Sequence, residues 1–206
     1  MKINAKRTEL AALLGMAFSV FCAGFCGFSE DYRDITDTVF RLHILANSDS
    51  EYDQSLKLKV RDAVLAETSY LFEDCASAEE SAAVAEAHLD EIKSTAERVL
   101  KENGSDYAVR CEVAETDFDK RVYGNISMPA GRYSALRITI GEAAGKNWWC
   151  VMFPPLCLPA VTDEEEVLES CGALSEEEIE ILEQPEQYEC RFYFLELMEK
   201  LGGSDK

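Results

Sequence analysis

Hydrophobic positions change period several times along the chain. Residues 36–46, TDTVFRLHILA, alternate: Phe40, Leu42 and Ile44 share one face, and Arg41 and His43 share the other, the pattern of a half-buried strand. Asn47, Ser48, Asp49 and Ser50 form a turn cluster that is also a helix entrance, with Ser50 as cap and Glu51 and Asp53 in the first turn. Leu56, Val60, Ala63 and Val64 then recur at helical spacing and predict a helix to about Phe72. Ser77 and Glu80 make a capping box for a second helix, striped by Leu89, Ile92, Ala96 and Val99 and stopped at Asn103-Gly104. Residues 107–113 alternate as a second strand, and a loop with Gly124 and Pro129-Ala130-Gly131 follows. Residues 132–140 and 146–153 are further strands, and Gly141 and Gly145 between them fit a β-hairpin. Beyond Pro159 come acidic clusters at 163–166 and 176–178, two short helices, and a last helix over 191–201. The order predicts an α+β domain, a largely antiparallel sheet packed with helices.

The densest apolar stretch is Trp148-Trp149-Cys150-Val151-Met152-Phe153-Pro154-Pro155-Leu156-Cys157. A strand puts Trp148 and Trp149 on opposite faces, so at least one indole is hard to hide in a one-sided sheet. Pro154 and Pro155 donate no backbone hydrogen bond and force a turn or an edge. The segment reads as a rigid, partly exposed corner, or else as core, since large aromatics serve both.

The N-terminus predicts export. Lys2, Lys6 and Arg7 form a basic head, an uncharged apolar run spans 10–28, and acidic sequence begins at Glu30. The run is long enough to cross a bilayer, with the head kept in the cytoplasm. Both a cleaved signal peptide and a retained anchor fit; small residues at Cys22, Gly24, Cys26, Gly27 and Ser29 offer several cleavage positions. The expected organisation is therefore 1–29 as signal peptide or anchor, 30–160 as the folded domain, and 161–206 as an acidic helical segment. The formal net charge is -20, and the head contributes +2, so the remainder carries about -22. Such a chain repels nucleic acid and anionic lipid surfaces. Six cysteines follow the apolar run: Cys75, Cys111, Cys150, Cys157, Cys171 and Cys190. Their wide spacings do not suit zinc, and an exported chain can oxidise them. Cys150 with Cys157 is the disulfide candidate, because two prolines between them could fold the segment back; buried free thiols are the other reading.

Candidate chemistry is sparse. The two histidines are His43 and His88. A nucleophile at Ser48 or Cys150 with His43 as base would make an envelope hydrolase, but Ser48 lacks a glycine-flanked elbow, and a thiolate needs a basic neighbour. Metal binding by His43, Asp49 and Asp53 lacks a helical His pair or a calcium-loop pattern, so no metal or other cofactor is expected. The polar run Asn47, Asp49, Asp53, Gln54, Lys57 and Arg61 is either helix-capping scaffold or a recognition surface.

Two blocks carry a resemblance. Arg41-Leu42-His43-Ile44-Leu45-Ala46-Asn47-Ser48-Asp49-Ser50, with Asp53-Gln54 and Leu56-Lys57-Leu58-Lys59-Val60-Arg61-Asp62, resembles the opening block of the stage II sporulation protein R family. Tyr123-Gly124-Asn125-Ile126, Pro129-Ala130-Gly131, Tyr133, Ala135-Leu136-Arg137-Ile138 and Asn147-Trp148-Trp149-Cys150 through Phe153-Pro154-Pro155-Leu156-Cys157 look like its second block. The resemblance spans about residues 38–160. It implies a signalling protein exported across the forespore membrane into the space facing the mother cell. There it would trigger a membrane-embedded, aspartic-type protease that processes the pro-form of the early mother-cell sigma factor. The implied role is signal, not enzyme. The expected contact residues are Arg41, His43, Asn47, Asp49, Asp53, Gln54, Lys57, Arg61, Trp148, Trp149 and Phe153, with membrane contact through 10–28 if that run is uncleaved.

Overall fold

The computed structural model describes residues 12–16, 18–19, 35–123, 126–154, 179 and 181–182. Two compact units divide the chain: Ile35–Pro185, and Met1–Asp34 together with Glu186–Lys206. In the latter the described residues, 12–16 and 18–19, are helical, and Leu13, Leu14, Met16 and Phe18 are exposed. Among the described residues no helix is long and apolar enough to cross a membrane. Most of the apolar run 10–28, with its cleavage positions, lies outside the described residues. So do most of the acidic segment after Pro159 and its expected helices.

The larger unit runs β1 (Phe40–Leu45), α1 (Glu51–Thr68), α2 (Ala78–Ala87), α3 (Leu89–Glu102), β2 (Val109–Phe118), β3 (Arg121–Tyr123), β4 (Ile126–Met128), β5 (Gly131–Ile140) and β6 (Asn147–Phe153). It is an α+β fold. A four-stranded mixed sheet has the order β2-β5-β1-β6, and β3 and β4 form a separate two-stranded ribbon. Only β1 with β5 is parallel; β2–β5 and β1–β6 are antiparallel.

One expectation is overturned here. β5 and β6 do not form a hairpin, because β1 lies between them. The connection 141–146 crosses over the C-terminal end of β1 instead. Its amides are claimed from below: Ala144 N donates to Asn47 O and Gly145 N to Ala46 O. Short spacing between strands thus coexists with a non-local partner.

Local signals explain most other boundaries. Ser50 caps α1, its hydroxyl accepting from Asp53 N at 3.1 Å. Ser77 caps α2 through Glu80 N, and the Glu80 carboxylate reaches back to Ala76 N at 2.8 Å, one residue beyond the usual capping box. Gly104 ends α3 at φ +78. The predicted single helix from Ser77 is two. It breaks at His88, with φ -116 and ψ 20, where Nδ1 lies 2.9 Å from Val84 O. That side-chain bond offers the backbone an alternative to the helical ladder. The predicted loop before Pro129 contains the β3–β4 ribbon, and β2 extends five residues past the expected end at Val113.

The main core lies between the helices and one sheet face. Phe40, Leu42, Ile44, Leu136, Ile138, Ile140, Cys150 and Met152 pack with Leu56, Val60, Val64, Ile92, Ala96 and Leu100. The other face carries Arg41, His43, Phe118, Tyr133, Ala135, Arg137, Trp149 and Val151, as alternation along the paired strands requires.

Candidate functional site

Alternation separates the two tryptophans. Trp148 pairs with Ile44 on the helix side, and Trp149 pairs with His43 on the other. Both are half-buried. On the helix side the Arg61 guanidinium lies 4.2 Å above the Trp148 ring, and the indole N–H is buried without an acceptor. Phe153, paired with Phe40, is core.

On the opposite face the side chains stack in lateral rows. The row Ala114–Ala135–Arg41–Val151 gives Arg41 two small neighbours, and its guanidinium sits 3.9 Å over Phe118 and 4.7 Å over Tyr133. Arg41 is wholly buried, so its charge is met inside the fold, partly by the negative ring faces. The Tyr133 hydroxyl donates to Pro129 O at 2.9 Å, fixing its ring. The next row is Glu112–Arg137–His43–Trp149. His43 stacks on Trp149 at 3.8 Å and 14°, and its Nε2 lies 3.0 Å from Asn147 Oδ1. Phe118 closes the cluster against Trp149 at 4.5 Å. Burial holds the His43 pKa below its ordinary 6.5; the Asn147 bond opposes this and the Arg137 charge adds to it.

The polar block forms a clamp at the end of β1. Asn47 Nδ2 donates to Asp53 Oδ2, as does the Ser48 hydroxyl, while Asn47 Oδ1 accepts from Glu142 N at 3.0 Å. Asp49 Oδ1 accepts from Lys146 N at 2.7 Å, and Gln54 Nε2 donates to Ser48 O. Lys57 Nζ donates to Gln54 Oε1 at 2.7 Å and to Lys146 O at 2.9 Å. The Ser48 hydroxyl is the chief reason Asp53 titrates below the usual carboxylate range; burial opposes it and Asn47 assists. Desolvation lowers the Lys57 pKa, Asp49 opposing. These side chains hold the 141–146 crossover onto α1, which is scaffold work. Of the expected contact residues, Arg41, His43, Asp53, Lys57 and Phe153 are buried, whereas Asn47, Asp49, Gln54, Arg61, Trp148 and Trp149 are half-buried or exposed.

Neither hydrolase constellation forms. Cys150 lies in the helix-side core with Leu42, on the face away from His43, and the Ser48 hydroxyl is given to Asp53. Cys75 and Cys111 are free thiols, and Cys150 is not among the free thiols. Cys157 lies outside the described residues. Among the described residues no group of three metal-ligating side chains occurs. Phe118, Tyr133, Arg137 and Asn147 were not singled out as site residues by the sequence reading. Phe118 and Tyr133 reach the site from strands remote in sequence, while Asn147 had a signal, since it opens the Trp-Trp block.

Residues 36–163 match the family Stage II sporulation protein R (spore_II_R). The chain belongs to that family. It is 42% identical over 135 residues to Stage II sporulation protein R of Bacillus subtilis (strain 168), an alignment covering 66% of this chain and 60% of that relative. The chain thus spans about 60% of the length of the curated relative it matches. No solved structure matches it. Membership in this family supports a role in sporulation, and the matched region includes the clamp, the aromatic face and both tryptophans.

Proposed function

We propose that this chain is an exported signal of sporulation. It is made in the forespore, crosses the forespore membrane, and activates a membrane-embedded aspartic-type protease that processes the pro-form of the early mother-cell sigma factor. It acts by contact, not by catalysis. Family membership supports the setting. The observation that carries the contact reading is the pair of half-buried tryptophans on opposite faces, each backed by a basic or aromatic partner. Rigid aromatic rings beside guanidinium groups are favoured anchors at protein interfaces. The placement of Cys150 on the face away from His43, and the donation of the Ser48 hydroxyl to Asp53, weigh against the hydrolase alternative. That Cys150 is not among the free thiols fits a Cys150–Cys157 disulfide.

Replacement of Trp148 or Trp149 by Ala in sporulating cells tests this. Conversion of the pro-sigma factor should fall at least tenfold while the exported protein persists at normal amounts. Normal conversion in both variants would overturn it.

A further inference from the structure

The row Glu112–Arg137–His43–Trp149 crosses the sheet on the face away from the main core, one side chain per strand. His43 is 4% exposed; Asn147 takes its Nε2, and its Nδ1 is buried with no hydrogen-bond partner. The Arg137 Nε is buried and unpartnered too, although its side chain is 38% exposed. Glu112 stands 3.5 Å from Arg137 Nη1, too far for a well-formed charge-assisted bond. In the adjoining row Arg110, opposite Thr139, is exposed. Arg137 and Arg110 thus stand on this face beyond the buried Arg41, with Glu112 as the carboxylate beside Arg137, in a chain whose formal net charge is -20. The Arg137 Nε–H is a buried donor without an acceptor, which destabilises the fold until one arrives. A half-exposed arginine on a loose ion pair can turn to a better one.

Resting on the reading of the chain as a protein ligand, we infer that this row receives a carboxylate from an acidic peptide segment of the partner, gripped by Arg137 against the His43–Trp149 stack. The fork of a guanidinium matches a carboxylate through two parallel bonds, which lysine cannot reproduce. The flat ring stack excludes water from one side and strengthens the pair. Charge complementarity selects the occupant: an acidic segment gains Arg137 and Arg110, and a basic one would meet them as like charges.

The chain has two histidines, so each imidazole can be followed separately by NMR. The experiment uses the full chain in nonionic detergent, with N-acetyl-triglutamate amide as probe and the triglutamine peptide as control. The Arg137 charge disfavours protonation of His43, so a carboxylate bound there should raise the His43 midpoint. Expected are a rise with the glutamate peptide alone, a higher starting midpoint in Arg137→Gln, and no further rise when that variant meets the peptide. No movement at His43, or equal movement at His88 or with the glutamine peptide, would overturn the inference. A midpoint lowered in the free chain by replacing Glu164, Glu165 and Glu166 with Gln would assign the face to the chain's own acidic segment. Dependence on protein concentration would assign it to a second copy. Either result also overturns the inference. The titration contains no protease, so its failure leaves the signalling reading standing, and failure of signalling in cells leaves the titration to be judged alone.

Discussion

A Cβ placed on Gly141 would come within 2.2 Å of Asn47 Oδ1. The two residues meet where the β5–β6 connection passes over the end of β1, and Gly141 has φ +58. Gly141→Ala therefore incurs both a left-handed backbone cost and a collision with a side chain already bonded to Asp53 and Glu142. Loss of about 2–4 kcal/mol is expected. Gly104→Ala supplies the control: φ is +78 there with nothing within 4 Å, so only the backbone cost of about 1–2 kcal/mol applies. Urea unfolding of the two variants measures the difference. Equal losses would mean that Asn47 yields freely and is no clamp.

Arg41 tests whether the second sheet face has a core of its own. Its guanidinium, fully buried, is stacked on Phe118 and Tyr133. Arg41→Ala should destabilise the fold by about 3 kcal/mol or more, combining lost stacking with a cavity between Ala135 and Val151. Arg41→Lys should recover little, because a compact ammonium cannot lie flat on two rings. Thermal unfolding reads both. A lysine variant as stable as the parent would show that charge alone is required.

Local signals in the sequence were legible, and distant pairing was not. Ser50, Ser77 and Gly104 act within a few residues of themselves, so their caps and stop follow from spacing. Strand alternation likewise placed Trp148 and Trp149 on opposite faces. The hairpin between β5 and β6 was misread because the turn residues Gly141 and Gly145 are there, but they serve a crossover whose filling strand lies about a hundred residues upstream. The break at His88 was hidden because the apolar stripe continues through it while one side-chain bond interrupts the backbone. Arg41 and His43 were expected as contact residues on the other face of a half-buried strand, but both are buried. Burial comes from Phe118, Tyr133 and Trp149, which only the sheet order brings alongside them.

Thiol chemistry offers a third test. Cys111 packs against the main core, and burial pushes its pKa up to about 12. Almost no thiolate exists near neutral pH, so alkylation of the folded protein should be at least a hundredfold slower than that of the urea-unfolded chain at the same site. Cys150 should resist alkylation in both states until a reductant is added, if it is joined to Cys157. Peptide mapping by mass spectrometry after timed iodoacetamide treatment follows both sites. Ready labelling of Cys150 without reductant would sink the proposed disulfide.

Acid sensitivity should reveal His43. Its folded pKa lies below the ordinary 6.5, chiefly through burial, with the Arg137 charge adding and the Asn147 bond opposing. The neutral ring is thus favoured in the native state, whereas the unfolded chain takes up a proton as pH falls through about 6.5. Unfolding then binds protons, so this contribution to stability is fully present above 6.5, declines beneath it, and is lost once pH passes the folded value. Asp53 acts in the same sense in a lower window, below its ordinary 3.8. His43→Gln removes the titration while keeping a polar side chain near Asn147. The parent should exceed this variant in Tm at pH 7.5, and the margin should shrink steadily down to pH 5. A margin constant across that range would mean that His43 gains and loses its proton as freely in the folded protein as in the unfolded chain.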